Sequence, residues 1–127
     1  MQQRVSIIRA VLSGAKTILL DEPFSNSDFV MRRALQKDVS RFVGEESLIA
    51  ILVTHDLDEA IRIADKVIVL SERPSHVKGV VSIPISREER LNANANVLQE
   101  MADYVERLEE IFLPAPTATM FHQGKDV

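Results

Sequence analysis

Leu48 to Val53, read as LIAILV, is the stretch that most restricts the fold, because it offers no polar face. It is the longest unbroken apolar run in the chain, and it falls far short of the roughly 20 residues that a membrane-spanning helix needs. A short segment apolar on both faces is what a central strand in a parallel sheet looks like when helices cover the sheet on both sides. The chain therefore has to supply those helices and at least one parallel neighbour.

Both are legible on either side of the run. Residues 2 to 12, QQRVSIIRAVL, place Val5, Ile8 and Leu12 at helical spacing, with Ile7 and Val11 widening the stripe. Ser13 and Gly14 give a stop signal, and Ile18 to Leu20 then form a short apolar strand. Pro23 ends it, having no N–H for a ladder. Ser27 or Asp28 can cap a helix that sets Met31, Leu35, Val39 and Phe42 on one face, with Gly44 closing it. Beyond LIAILV, Asp56 and Glu59 fit a variant of the capping box, and a helix runs to about Ala64. KVIVLS is a third apolar strand and VVSIPI a weaker fourth, in which Pro84 marks an edge. Helix and strand alternate, which predicts an α/β architecture with a parallel sheet flanked by helices. Val97, Met101, Tyr104, Leu108 and Ile111 predict a last helix packed on the domain; about two heptads are too few for a coiled coil. From Pro114 the composition is loop-like, and residues 114–127 read as a flexible tail.

Bulk properties remove several functional classes. At 127 residues one domain with a real core is expected. The net charge is -4 with no block of Lys or Arg, so nucleic acid is not an expected partner. There is no cysteine, which fits a reducing compartment, and no basic stretch leading into an apolar core at the N-terminus. A cytoplasmic chain without direct membrane insertion is the expectation.

The chemistry lies at the ends of two strands. In parallel α/β sheets ligands bind outside the carboxyl ends, and here those ends read LLDE and VTHD. In a nucleotide hydrolase, an acid at such an end holds Mg²⁺, commonly through its waters, and a neighbouring carboxylate orients the attacking water. Asp21 suits the first role and Glu22 the second. His55 can donate a hydrogen bond to a terminal phosphate. The plainer alternative is that acids simply follow an apolar run where a strand meets a helix N-terminus, and either motif alone leaves that open. A phosphate cradle of the form G-x-x-x-x-G-K-[ST] does not occur in these 127 residues. GAKT at residues 14 to 17 leads into a strand, whereas a phosphate loop leads into a helix.

QQRVSIIRAVL, ILLDEPFSNSD and ILVTHDLDEAIRIADKVIVLSERP, in that order, resemble the ATPase subunit of ABC transporters. They are similar to the helix after the signature motif, the Walker B segment with its D-loop, and the switch-histidine region. The resemblance covers residues 1–86, and its wording is most like importers of the nitrate, sulfonate and taurine group. It implies residues 1–86 as the C-terminal part of an ABC ATPase domain with a partial P-loop NTPase fold, residues 87–113 as a helical extension, and residues 114–127 as the tail. It further implies that the Walker A strand and loop, and the signature itself, lie upstream of this chain.

The implied roles are Asp21 for Mg²⁺, held through water, Glu22 as the catalytic glutamate, His55 as the switch histidine, and Asp28 as the D-loop aspartate. Gln2 and Gln3 match residues just after the signature and count with Asp21 and Asp28 as cofactor-binding positions. ATP and Mg²⁺ are the implied cofactors. A second ATPase subunit and transmembrane permease subunits are the implied partners, at the cytoplasmic face of the membrane. Ser27 stands where the family usually has Leu, which loosens the expected packing of the turn. With the nucleotide-holding half absent, the chain alone is expected to be a weak ATPase or none, and an unpaired edge on LIAILV predicts self-association. Two rivals stand beside this reading: a non-enzymatic module that associates with a full-length ATPase or permease, and an unrelated metal-dependent hydrolase using Asp21, Glu22 and His55.

Overall fold

The structure is a computed structural model that describes residues 2–113, with side chains from Ser6 onward. The tail expected at residues 114–127 lies outside the described residues. Among the described residues nine elements follow one another: α1 (Gln2–Leu12), β1 (Thr17–Asp21), α2 (Phe29–Glu45), β2 (Ile49–Val53), α3 (Leu57–Ile63), β3 (Lys66–Leu70), β4 (Val77–Ser82), α4 (Arg87–Leu91) and α5 (Ala95–Phe112). The architecture is mixed α/β, with a small parallel sheet and helices.

β1 and β2 pair in parallel, Leu19 opposite Ile51 and Asp21 opposite Val53, with α2 as the crossover. The expectation of one parallel sheet stops there. β3 pairs with β4 in an antiparallel ladder, Ile68 opposite Val80, and the two pairs form separate two-stranded sheets. The reason is chain length: residues 71–76 suffice for a hairpin, whereas a parallel return needs a crossover of about a dozen residues or more. β4 also begins earlier than VVSIPI suggested and ends at Ser82, so Pro84 lies outside the strand.

Each sheet covers one face only. Leu20 and Leu52 pack against a core of Ile7 of α1, Phe24, Leu35 and Val39 of α2, and Ile63 of α3, and Ile18 of β1 is buried as well. On the other face Leu19 is 68% exposed and Ile51 52%, beside exposed Ile49 and Val53. In the second sheet Val69 and Val81 pack with Ile61, Ile83, Ile85, Met101 and Leu108, while Ile68, Leu70 and Val80 are exposed. Fully burying a side chain such as Ile61 or Leu108 contributes about 1.5–3 kcal/mol.

Local chemistry explains most boundaries. Asp28 caps α2, accepting from Met31 N at 2.8 Å, and the helix runs one residue beyond Gly44. Asn94, in the NANAN stretch, caps α5, accepting from Val97 N at 3.0 Å. α5 lays Val97, Met101, Tyr104, Leu108 and Ile111 on the second core, as its spacing predicts. α1 is turned from its expected stripe: Ile7 is buried, whereas Leu12 is 80% exposed. Apolar neighbours at 7, 8, 11 and 12 allow two stripes about 100° apart, and the one containing Ile7 meets β1 and α2.

Candidate functional site

Because β1 and β2 run the same way, their carboxyl ends open on one edge, where parallel α/β sheets hold ligands. Asp21 is the last residue of β1. Its carboxylate is exposed and has no hydrogen bond or ion pair among the described residues. Asp21 also borders a hollow of about 340 Å³ between α1 and β1, with Ser6, Ile7 and Ala10 opposite. A second hollow of about 640 Å³, between α2 and α4, contains none of the strand-end acids.

Glu22 reverses the chain with φ 46°, in the left-handed region that residues other than glycine seldom occupy. Such a conformation costs on the order of 1–3 kcal/mol, and such outliers concentrate at ligand sites. The Glu22 amide still donates to Val53 O at 2.8 Å, so the reversal follows the last ladder bond directly. This places Glu22 Oε1 2.8 Å from His55 Nδ1, a residue 33 positions later. The carboxylate is partly buried and the imidazole exposed.

The hydrogen bond to Glu22, and then the Glu22 charge, raise the His55 pKa above its ordinary 6.5. Only the imidazolium carries a proton on both ring nitrogens. In that form Nδ1–H donates to Glu22 and Nε2–H is left to donate to an anion. The pair thus combines an oriented carboxylate with a cationic donor, beside a free carboxylate.

Asp21 fits the donor chemistry of Mg²⁺, which takes one or two carboxylates and completes its octahedron with water and phosphate oxygens. Among the described residues there is no group of three or more His, Asp or Glu side chains arranged to hold an ion without such help.

The remaining expected residues are placed less centrally. Asp28 spends its carboxylate on the α2 cap and has no bond to Glu22 or His55 among the described residues. In the turn before it Phe24 is 1% exposed, and Arg32 Nη2 donates to the backbone oxygen of Ser27 at 3.3 Å. Gln2 and Gln3 lie at the start of α1, and their side chains are outside the described residues.

Two residues around His55 go beyond the sequence reading. Thr54 Oγ1 accepts from Asp56 N at 3.0 Å and donates to Glu59 Oε2 at 3.2 Å, while Glu59 N donates to Asp56 Oδ1 at 3.2 Å. The expected capping box at Asp56 and Glu59 therefore forms only in its first half, and the return bond runs through Thr54. Glu59 is 6% exposed, and burial raises its pKa. The signal for that burial was available: Ile63 stands one turn on from Glu59, on the same apolar face.

Among the described residues no helix is long and apolar enough to cross a membrane. No protein-family model matches the chain. Individual relatives do. The nitrate import ATP-binding protein NrtC of Synechocystis is 41% identical over 88 residues, 68% of this chain and 13% of its own length. The bicarbonate transport ATP-binding protein CmpC of Synechocystis is 34% identical over 113 residues, 88% of this chain and 16% of its own length. The aliphatic sulfonates import ATP-binding protein SsuB 1 of Pseudomonas aeruginosa is 39% identical over 87 residues, 68% of this chain and 35% of its own length. The chain thus spans about a third or less of the length of these curated relatives. On these likenesses the chain belongs to the family of ABC-transporter ATP-binding subunits, and within it resembles the nitrate and sulfonate import group.

Proposed function

We propose that this chain carries the metal-holding and water-orienting residues of an ATP-hydrolysing subunit in an importer of a small anionic solute such as nitrate or a sulfonate. The observation that carries the reading is the 2.8 Å contact between Glu22 Oε1 and His55 Nδ1 beside the free carboxylate of Asp21. Mg²⁺, when bound, neutralises phosphate charge. Asp21 would hold the ion, with water completing its shell. Glu22 orients the attacking water, and His55 donates from Nε2 to the terminal phosphate. Asp28, Gln2 and Gln3 belong to the nucleotide-facing surface in this reading. The working site forms against a second ATPase subunit, docked on permease subunits at the cytoplasmic face of the membrane.

The test is Mg-ATP turnover by the protein as recovered from its source cells, with and without Glu22→Gln. A loss of about 10²-fold or more is expected, since removing one catalytic group typically costs 10²–10⁴-fold. Unchanged turnover in the variant would overturn the assignment.

The 127 residues alone are expected to hydrolyse ATP weakly at best, because positioning of the nucleotide supplies most of phosphoryl-transfer catalysis and they contain no G-x-x-x-x-G-K-[ST] sequence. A robust rate in the isolated chain, abolished by Glu22→Gln, would contradict this. The apolar faces left open at Leu19 and Ile51, and at Ile68 and Val80, favour a second property, association. Sedimentation of the isolated chain is expected to show oligomers. A monodisperse monomer that unfolds cooperatively would remove that part, and with it the observation favouring a purely associative module.

A further inference from the structure

Glu59 is a buried carboxylate with no role in the chemistry described above. Its Oε2 accepts from the Thr54 hydroxyl, and its Oε1 is buried with no hydrogen-bond partner among the described residues. The groups that face it are Thr54 and Asp56 in the turn, Arg32 from α2, whose charge favours the ionised form, and Glu22 from the end of β1, whose charge opposes it. Arg32 also reaches the other strand-end turn through its bond to Ser27 O, and its own Nε is buried and unpartnered among the described residues. Burying a carboxylate in this way is unfavourable, and an apolar side chain of similar size would cost less.

The chain itself supplies a comparison. Glu89 stands at the same third position of α4, after the cap Ser86, and there the capping box is complete: Ser86 N donates to Glu89 Oε2 at 3.2 Å and Glu89 stays exposed. At α3 the cap's backbone N–H goes to Thr54 Oγ1, and the glutamate holds the threonine. Capping alone does not require that detour. Its result is a closed circuit of three hydrogen bonds, Asp56 to Thr54 to Glu59 to Asp56, around the backbone of His55.

We propose that Glu59 is a positioning residue that holds His55 against Glu22 through the Thr54 hydroxyl. The functional meaning of that geometry rests on the hydrolytic reading of Glu22 and His55; the geometry itself does not. If Glu59 merely caps α3, changing it alters helix stability and leaves the His55–Glu22 contact alone.

The test follows the His55 imidazole by NMR titration in the full chain, for the unaltered protein and for Glu22→Gln, Thr54→Val, Thr54→Ser, Glu59→Leu and Glu59→Gln, with circular dichroism as the folding check. The His55 midpoint is expected to fall toward 6.5 in Thr54→Val and Glu59→Leu, approaching the value in Glu22→Gln. Thr54→Ser keeps the hydroxyl and Glu59→Gln keeps an acceptor, so both should retain most of the rise. Thr54→Val conserves shape and decides the matter even where Glu59→Leu fails to fold. A His55 midpoint unmoved in folded Thr54→Val would overturn the proposal. A midpoint that moves while Mg-ATP turnover of the source-cell protein is untouched by the same substitution would support the positioning and overturn the hydrolytic reading instead.

Discussion

Arg90 Nη1 donates to Ile61 O at 2.7 Å, and the same nitrogen reaches Ala64 O. Carbonyls in the last turn of a helix have no intrahelical partner, so Arg90 satisfies the end of α3 from α4. The guanidinium has no exposed surface; burial lowers its pKa, and Asp65 at 3.4 Å counters that. Arg90→Met keeps the volume, removes the donors and leaves the carbonyls orphaned. A loss of about 3 kcal/mol is expected by analogy with breaking a buried pair from one side. Urea unfolding measures it, and a loss below about 1 kcal/mol would mean that water replaces the guanidinium freely.

The His55–Glu22 pair should show in the pH dependence of stability. The folded pKa of His55 lies above its ordinary 6.5. Its contribution is therefore complete below 6.5 and lost as the pH rises through the raised folded value. Thermal midpoints of the unaltered chain and Glu22→Gln should differ more at mildly acidic than at alkaline pH. Equal gaps at both would contradict the pairing.

Asp28 has a structural role whatever its role with nucleotide. Asp28→Ala is expected to lower stability by about 1 kcal/mol, and Asp28→Asn by only a few tenths, because Asn caps nearly as well. Should both substitutions lower the urea midpoint equally, the carboxylate charge rather than the cap would be what α2 needs.

Gly79 lets α5 close on the hairpin. A Cβ there would lie 3.1 Å from Ile111 Cγ2 and 3.2 Å from its Cδ1. Gly79→Val is expected to destabilise by about 1–3 kcal/mol through overpacking. Ile111→Ala makes room, so the double variant should be more stable than the sum of the single losses predicts. Strict additivity would place the cost of Gly79→Val elsewhere.

Much of this was legible in residue order. Strand ends near Leu20 and at Val53, a cap at Ser27 or Asp28, which the structure gives to Asp28, and the α5 stripe through Met101 and Leu108 follow from periodicity and from side-chain chemistry acting within one turn. Pairing was less legible. KVIVLS reads like LIAILV, yet its partner was set by the short connection to β4, and an apolar run does not say how many of its faces are covered. The Glu22–His55 contact was illegible for another reason. It joins residues 33 positions apart and depends on where β1 and β2 end relative to each other, a distance that no local pattern encodes. Arg90 was hidden similarly, its carbonyl partners lying 26 and 29 residues away.

Ile61 and Ile63 stand two positions apart on α3, and each belongs to a different hydrophobic core. A helix of seven residues is too short to persist by itself in water. It exists while both cores hold it. Neither half can then melt quietly: loss of packing under either sheet removes one wall of α3 and, with it, the support of the turn that carries His55. The chain is thereby made into a single cooperative unit by its least self-sufficient helix, and amide exchange across α3 should track global opening rather than local fraying.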